Sequence, residues 1–369
     1  MYLAVLGREP KISLAELEAI FGATKVTPIA ENIALVTTRK FDLNRLGGTI
    51  KAGKVLDESP IEVLASLPEG KITLGYSDYS DRATKNTSWH EALKLKNLLK
   101  RRGRSVRLVP NVDAALSSAT SHHNQLGEKA KHIEIVQYGK YLAESIGAQN
   151  ITAYAKRDQA RPARDAFVGM LPPKLAQILV NLAVGNIPEG RLLDPFCGTG
   201  TILQEALLMG YTTYGTDMSE KMVAYSKKNL EWLADGRDRL PKFELSVGDA
   251  TKNKWSGKIN FVASETYLGL PFSAPPANIK LKEVMHTTGS IILAFLKNLA
   301  PQIEKNTKLA LAIPAWKRLD NSFSMLNIID EIEKLGYNLI SFKHASVTDL
   351  LYYRENQVVA RQIIVLRKT

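Results

Sequence analysis

A glycine-rich stretch between two apolar segments is the feature that most constrains how this 369-residue chain can fold. It reads Arg191-Leu-Leu-Asp-Pro-Phe-Cys-Gly-Thr-Gly-Thr-Ile-Leu, and Tyr214-Gly-Thr-Asp follows it. This pattern predicts a short strand, a tight turn, a helix and a second strand that ends at an acid. Because Gly198 and Gly200 lack a Cβ, the backbone there can turn sharply and approach a ligand closely. We therefore expect one strand-helix-strand unit that carries a ligand site.

The spacing of the glycines distinguishes two nucleotide-type ligands. A dinucleotide site has a third glycine three residues after the second, and Leu203 stands at that position. Asp194 suits the cationic amino group of S-adenosylmethionine better than a pyrophosphate, and Asp217 stands where a carboxylate can accept both ribose hydroxyls. The alternative is an ordinary tight turn before a helix. We expect an S-adenosylmethionine site with contacts from Asp194, Phe196, Gly198, Thr199, Gly200 and Asp217.

Composition narrows the class of protein. Lysine and arginine number 49 against 37 acids, which gives a net charge of +12 and favours a polyanionic partner over a neutral metabolite. General solubility is the alternative explanation of this charge. A single cysteine, Cys197, excludes an internal disulfide and a thiolate set for structural zinc. No signal pattern opens the chain, and no apolar run reaches the roughly 18 residues that cross a bilayer. We expect a cytoplasmic protein with no metal and no membrane contact.

The chain divides by pattern into four segments. Residues 1–68 predict a small α+β unit with a capping box at Ser13 and Glu16, and residues 69–147 predict a second unit. Residues 148–166 are polar, basic and proline-containing, and they predict a linker. Residues 167–369 contain the glycine-rich turn and alternate strands with helices, which is typical of an α/β fold.

A cluster of basic residues lies in the second segment. The helix predicted from Trp89 to Arg102 carries its lysines and arginines away from its apolar side, and no acid occurs between Glu91 and Asp113. Each phosphate that such a side chain neutralises adds a salt-dependent contribution to affinity. A solvated helix face is the alternative. We expect RNA contacts from Lys100, Arg101, Arg102 and Arg104.

The second half of the chain resembles a known family. Asp165-Ala-Phe-Val-Gly-Met-Leu-Pro-Pro-Lys-Leu-Ala, DPFCGTG and Asp217 are similar to the motifs of archaeal and eukaryotic tRNA guanine-N2-methyltransferases, which modify tRNA near the base of the D-arm. The resemblance implies a ferredoxin-like domain over residues 1–68, a THUMP-like RNA-binding domain over residues 69–147, and a Rossmann-like seven-stranded methyltransferase domain over residues 167–369. It also implies S-adenosylmethionine as cofactor and tRNA as partner.

The resemblance implies further site residues. Asp249 would accept a hydrogen bond from the adenine amino group, and the segment at Pro172 would fold over the methionine end of the cofactor. At the end of the fourth strand, family members carry Asp-Pro-Pro-Tyr-Gly where this chain has Ser264-Glu-Thr-Tyr-Leu-Gly. An ungapped match puts Glu265 at the Asp position, whereas a gapped match puts Ser264 there and Tyr267 at the Tyr position. The implied catalytic residues are therefore Glu265, Tyr267 and Ser264.

These patterns predict an S-adenosylmethionine-dependent RNA methyltransferase that acts on the N2 amine of a tRNA guanosine. Two alternatives stay open at this point. The first is a non-catalytic tRNA-binding protein that keeps the methyltransferase fold, because the motif at residues 264–269 departs from the family pattern. The second is a methyltransferase of another RNA or of a DNA base amine.

Overall fold

The computed structural model describes residues 1–165, 170–237, 239–355 and 357–369. The Ala166–Gly169 part of the family motif therefore lies outside the described residues. The chain forms two compact units, one of residues 1–14 with 24–155 and one of residues 15–23 with 156–369. Each unit is described separately.

The first unit is built on one eight-stranded sheet. Its strands are β1 (Tyr2–Leu6), β2 (Val26–Ala30), β3 (Ile33–Val36), β4 (Thr49–Val55), β5 (Ile72–Asp78), β6 (Val106–Leu108), β7 (His132–Tyr138) and β8 (Tyr141–Ala148), in the order β2-β3-β1-β4-β8-β7-β5-β6. The helices are α1 (Pro10–Phe21), α2 (Pro60–Ala65), α3 (Lys85–Arg101), α4 (Ser118–His123) and α5 (Ile151–Gln159), of which α1 and α5 begin in this unit and end in the second.

This sheet corrects the predicted boundary at residue 68. The middle of the sheet is the antiparallel pair of β4 and β8, from Lys51 opposite Ala148 to Val55 opposite Ala143. Residues 1–68 and 69–147 therefore share one sheet and do not form separate compact units. The pattern analysis missed β8 because its sequence, YLAESIGA, contains small and polar residues in place of the usual apolar alternation. The ferredoxin-like and THUMP-like assignments stay predictions.

The predicted linker at residues 148–166 is wrong in part, because α5 occupies its centre. The side chain of Asn150 accepts a hydrogen bond from the Ala153 N–H at 2.9 Å, which satisfies one of the free donors at the start of the helix. Tyr154 is buried. Lys156, Arg157 and Asp158 of this segment thus lie on a short helix, and its other charged residues follow that helix.

The second unit is built on a nine-stranded sheet. Its strands are β9 (Arg191–Asp194), β10 (Thr212–Asp217), β11 (Phe243–Val247), β12 (Phe261–Glu265), β13 (Lys308–Lys317), β14 (Phe323–Met325), β15 (Tyr337–Leu339), β16 (Leu351–Tyr352) and β17 (Val359–Lys368). Seven of them run in the order β11-β10-β9-β12-β13-β17-β15, while β14 pairs with β13 and β16 pairs with β17. The helices are α6 (Pro173–Val184), α7 (Thr201–Leu208), α8 (Glu220–Ala234), α9 (Asn278–Leu299) and α10 (Ile329–Lys334).

The strand directions identify where a ligand binds in this unit. Strands β11, β10, β9, β12 and β13 are parallel, and β17 is antiparallel to β13. The chain leaves β9 towards β10 on one side and later returns to β12 on the other, so the strand order reverses at β9. In open α/β sheets, ligands bind outside the carboxyl ends of the strands at such a reversal. Asp194, Asp217 and Glu265 end three adjacent strands at this edge.

Candidate active site

The turn between β9 and α7 has the backbone that its two glycines allow. Gly198 has a φ of 51° and Gly200 a φ of 84°, both in the left-handed region. A Cβ on Gly200 would lie 2.4 Å from the Ser226 hydroxyl oxygen, so this position needs glycine for space as well as for conformation. A Cβ on Gly198 would meet only the Phe196 carbonyl oxygen, at 4.0 Å. The space beside Gly198 is therefore open to a ligand.

Asp217 is held against this turn by two backbone donors. The Gly198 N–H donates to Oδ2 at 3.0 Å and the Ser219 N–H donates to Oδ1 at 2.9 Å. A carboxylate oxygen can accept more than one hydrogen bond, so both oxygens keep capacity for a further donor. The geometry fits a ligand that brings two adjacent hydroxyls, as the ribose of S-adenosylmethionine does. The role of Asp217 in cofactor binding stays a prediction.

Asp194 lies beneath the turn and is only 1% exposed. Its Oδ1 accepts a hydrogen bond from the Ser264 hydroxyl at 2.6 Å and one from the Phe196 N–H at 3.3 Å. Burial raises the pKa of Asp194 to about 7, because a charged carboxylate is poorly solvated there, and the Ser264 and Phe196 donors offset only part of this. Asp194 thus supports the turn from below, and the predicted direct contact with a ligand amino group does not fit so buried a side chain.

The structure corrects the assignment of Ser264 as a candidate acceptor of the substrate amine. Ser264 is fully buried, and its hydroxyl donates to Asp194. A side chain that donates its proton to a buried carboxylate and has no exposed surface cannot face an RNA base. The ungapped match, which puts Glu265 at the family Asp position, is the one that agrees with this geometry.

Glu265 forms an ion pair with Arg361 of β17. The Arg361 Nε lies 2.5 Å from the Glu265 Oε1, and the exposed fractions of the two side chains are 4% and 16%. Burial raises the pKa of Glu265, and the positive charge and hydrogen bond of Arg361 oppose this rise. Arg361 was not among the predicted site residues. The sequence signal for it is a basic residue next to the apolar run of a strand, since buried charges are rare unless they are paired.

The other predicted residues lie near the same strand ends. Tyr267 follows β12 and is 40% exposed, so its ring is available to a base. Asp249 follows β11, and hydrogen bonds from the Thr251 hydroxyl and N–H to its Oδ1 lower its pKa. The Phe196 ring packs edge-on against Phe295 at 5.2 Å. Pro172 immediately precedes α6, and Thr199 lies within the turn.

Asn229 of α8 is a residue that the pattern analysis missed. It is fully buried, and its Nδ2 donates to the carbonyl oxygens of Thr199 and Ala163 at 2.9 Å each. Its Oδ1 accepts from the Ala163 N–H, also at 2.9 Å. One side chain therefore links the turn to the segment before it. An asparagine in the middle of a helix was the available signal, because it is a poor helix former there.

Two arginines near the end of α5 and just after it also contact α7. Arg157 makes two hydrogen bonds to Glu205, from Nε to Oε1 at 2.6 Å and from Nη2 to Oε2 at 3.1 Å. The Arg161 Nη1 donates to the Thr201 hydroxyl at 2.5 Å, at the first residue of α7. The basic character of this segment, which predicted a linker, thus serves in part to fix the helix that begins at the glycine turn.

The predicted RNA-binding residues of the first unit divide into two pairs. Lys100 and Arg101 are exposed at the end of α3. Arg102 instead forms a bidentate pair with Glu62, with distances of 3.0 and 2.7 Å. Arg104 donates to the carbonyl oxygens of Ala65, Leu67 and Pro68 at 2.7 to 2.9 Å.

These partners come from α2 and the residues after it, which sequence spacing along α3 did not reveal. Arg102 and Arg104 therefore have structural roles, and RNA binding by all four residues stays a prediction.

Within the described ranges, no three His, Cys, Asp or Glu side chains are grouped so as to hold a metal ion. None of the described helices is long and apolar enough to span a membrane.

The comparisons with known proteins agree with the fold of the second unit. Residues 161–267 match the family model described as RMKL-like, methyltransferase domain. This part of the second unit is therefore similar to a methyltransferase domain. The prediction of an α/β methyltransferase fold is confirmed by this match and by the strand order. The match also supports S-adenosylmethionine as the cofactor of the methyltransferase domain.

Two relatives and one solved structure extend the comparison. The tRNA (guanine(10)-N2)-dimethyltransferase of Methanothermobacter thermautotrophicus is 28% identical over 196 residues, which are 53% of this chain and 52% of that protein. The tRNA (guanine(6)-N2)-methyltransferase of Thermus thermophilus is 40% identical over 90 residues, 21% of this chain and 26% of that protein. The chain thus spans about half the length of the first of these relatives. The crystal structure of TrmN from Thermus thermophilus aligns over 100% of this chain and 99% of its own, with 18% identity and a TM-score of 0.48.

Proposed function

We propose that the protein is an S-adenosylmethionine-dependent RNA methyltransferase that methylates the N2 amine of a guanosine in tRNA. One observation carries the proposal. The glycine turn and the acid Asp217 lie at the strand-order reversal, inside the segment that matches the methyltransferase domain. The relatives described above, which are named for methylation of guanine N2 in tRNA, favour this substrate.

The residues at the strand ends fit the cofactor. The open space beside Gly198 admits a ligand close to the backbone, and Asp217 offers two oriented oxygens to the ribose hydroxyls. Asp249 offers a carboxylate to the adenine amino group, and the hydrogen bonds from Thr251 lower its pKa further below neutrality. S-adenosylmethionine supplies an electrophilic methyl group when it is bound. Pro172, Phe196 and Thr199 complete the predicted lining of this site.

The target amine needs an acceptor because its lone pair is delocalised into the guanine ring. Glu265 is the carboxylate at the end of β12, and Arg361 engages its Oε1. In the proposed mechanism, Oε2 accepts an N–H of the amine and orients its lone pair towards the methyl group. The negative charge then stabilises the amine as it becomes cationic. Tyr267 stacks on the purine, and Arg361 holds Glu265 in place.

A second candidate function is non-catalytic binding of tRNA. It is favoured by one observation, the ion pair of Glu265 with a buried arginine, because this pair withdraws part of the charge that the chemistry needs. The two candidate functions predict different turnover but the same binding of tRNA and cofactor. A methyltransferase of another RNA or of a DNA amine is distinguished by its substrate alone.

The deciding experiment is mass spectrometry of nucleosides from tRNA before and after incubation with the protein and S-adenosylmethionine. The proposal expects a gain of N2-methylguanosine or N2,N2-dimethylguanosine, and a variant with Glu265→Gln is the matched control. A protein that binds both cofactor and tRNA but transfers no methyl group to any tRNA pool supports the binding candidate. A methyl group found on another base, or on RNA other than tRNA, rejects the proposed substrate.

A further inference from the structure

A β-hairpin projects beyond the edge of the sheet where the candidate catalytic carboxylate lies. Glu265, the last residue of β12, pairs with Ala312 of β13. Strand β13 then continues from Ile313 to Lys317, which is about 16 Å at the usual rise per strand residue. The additional residues extend the sheet past the position of Glu265.

Beyond Glu265, β14 takes the place of β12 as the neighbour of β13. Over its additional residues, β13 keeps β17 as its neighbour on one side, since Trp316 pairs with Val359. On its other side, Trp316 pairs with Ser324 of β14 and Lys317 with Phe323. Because β12 is the neighbour of β13 on that same side up to Glu265, β14 stands directly beyond the end of β12. The hairpin formed by β13 and β14 is therefore next to the candidate active site.

The turn of the hairpin is well ordered by its own hydrogen bonds. The Arg318 N–H donates to the Ser322 carbonyl oxygen at 2.8 Å, and the Asn321 N–H donates to the Arg318 carbonyl oxygen at 3.1 Å. The Asp320 Oδ1 accepts from the Ser322 N–H at 2.9 Å and from its hydroxyl at 2.5 Å. Asn321 has a φ of 63°, a conformation that asparagine tolerates better than most residues. These hydrogen bonds thus fix the backbone that carries the side chain between Arg318 and Asp320.

That side chain is Leu319, and it is 88% exposed, the largest value among the exposed large apolar side chains of the described residues. Single exposed apolar residues are common, so exposure alone decides nothing. Its neighbours add the second observation. The basic residues Lys317 and Arg318 precede it, the acid Asp320 follows it and is hydrogen-bonded to Ser322, and at the base of the hairpin the Phe323 and Tyr353 rings pack with centroids 5.1 Å apart. An apolar tip, cations and an aromatic pair are the groups that contact unstacked bases and phosphates.

We propose that Leu319 is a wedge that enters a base-paired RNA stem and takes the place of the target guanosine while that nucleotide is turned out towards Tyr267 and Glu265. The proposal rests on the proposed function. In a paired guanosine the N2 amine is hydrogen-bonded to cytidine, so an enzyme that methylates it first separates the base from its partner and from the stack. Leu319 fills the vacated space, while Lys317 and Arg318, which precede it, contact nearby phosphates of the same RNA.

Two synthetic RNA hairpins test this role, one with the target guanosine paired to cytidine and one with it opposite an abasic site. Leu319→Ser in the full-length protein should lower kcat/KM on the paired RNA by about tenfold or more, equivalent to about 1.4 kcal/mol. The same variant should act on the abasic RNA within about twofold of wild type, because no base pair has to be opened there. Ile187→Ser is the matched control, since Ile187 is 44% exposed and precedes β9 at the opposite edge of the sheet. Equal losses on both RNAs, or no loss on either, would overturn the proposal.

A binding readout keeps the test independent of turnover. With 2-aminopurine in place of the target guanosine and uridine as its pairing partner, fluorescence rises when the base leaves the stack. Wild-type protein should produce this rise in the paired RNA and Leu319→Ser should not, even if neither transfers a methyl group. An equal rise in fluorescence with wild type and with Leu319→Ser excludes the wedge. If wild-type protein produces the rise but transfers no methyl group, the proposed function alone is rejected. If the RNA does not bind but a protein ligand protects the hairpin from proteolysis, the surface serves protein contact and the proposal fails.

Discussion

The N–H of Gly198 donates to the Asp217 carboxylate at 3.0 Å, so the glycine turn after β9 and the acid at the end of β10 form one connected unit. Each of them fixes the other. The turn orients the carboxylate, and the carboxylate satisfies a backbone donor that the left-handed conformation of Gly198 would otherwise leave to solvent. Cofactor affinity should therefore depend on this contact.

Asp217→Ala should weaken the binding of S-adenosylmethionine by on the order of 1.5–3 kcal/mol, because it removes a charged acceptor of the ribose hydroxyls. Isothermal titration calorimetry measures this change. Glu189→Ala, which alters an exposed acid before β9, is the control and should bind as wild type does. Unchanged affinity in the Asp217 variant would remove Asp217 from the site.

Asn229→Asp should also weaken cofactor binding, although Asn229 is not proposed to touch the cofactor. The change keeps the acceptor for the Ala163 N–H but replaces the donors to Thr199 and Ala163 with an acceptor, so the buried Ala163 carbonyl oxygen and the partly buried Thr199 carbonyl oxygen each lose a partner. Each such loss costs about 1–3 kcal/mol. The melting temperature of the variant and its cofactor affinity, measured by titration, should both fall. A variant that loses stability but binds the cofactor normally would show that the contact to the turn is unimportant for the site.

Glu265→Gln should lower turnover while tRNA and cofactor binding hold, because it keeps an oxygen acceptor and removes the charge that stabilises the transition state. Glu265→Ala should lower turnover further. Rates under single-turnover conditions separate chemistry from binding. Full activity in Glu265→Ala would transfer the acceptor role to backbone carbonyls, since Ser264 is already engaged with Asp194.

Arg361→Leu should destabilise the second unit by about 3–5 kcal/mol, because it leaves the Glu265 carboxylate buried without its partner. The double change with Glu265→Gln should recover much of this loss. Urea unfolding of the two single variants and of the double variant gives the coupling between the residues. Strictly additive effects would mean that the ion pair contributes nothing to stability.

The raised pKa of Asp194 predicts a pH dependence of stability. In the folded protein this acid titrates near pH 7 and in the unfolded chain near its ordinary value of 3.8, so the folded state binds more protons between these values. Its contribution to the free energy of unfolding should therefore fall as the pH rises from about 4 to about 7, by at most roughly 1.4 kcal/mol per pH unit. Asp194→Asn should flatten this slope in urea unfolding, whereas Asp330→Asn, at an exposed acid, should leave it unchanged. A slope that is equal in wild type and in Asp194→Asn would contradict the assignment.

Changing Lys100 and Arg101 to Ala should reduce tRNA affinity and flatten its dependence on salt, because fewer counterions are released on binding. Arg104→Ala should instead lower thermal stability, since three backbone carbonyls lose their donor. Fluorescence anisotropy at several salt concentrations and thermal unfolding measure the two effects. A salt slope that stays at the wild-type value in the double variant would exclude this end of α3 from the RNA surface.

The features that sequence predicted well are local in the chain. The glycine turn, the acid Asp217 and the helix that follows the turn are set by residues within one strand-helix-strand unit, and periodicity and glycine spacing report them directly. The missed features depend on residues far apart. Arg361 lies 96 positions from Glu265, and Glu62 lies 40 positions from Arg102. No local sequence pattern indicates such pairs. The prediction that Arg102 binds RNA was therefore based on its charge alone.

The late position of β8 in the chain has a consequence for synthesis of the first unit. Strand β8 fills the gap between β4 and β7, and its residue Ala148 pairs with Lys51. Until residue 148 has left the ribosome, β4 has an unpaired edge. Unpaired strand edges can pair with other chains and cause aggregation. Pairings over so long a separation also form slowly. A truncation at residue 68 would make that open edge permanent, and fragments for expression should accordingly end after β8.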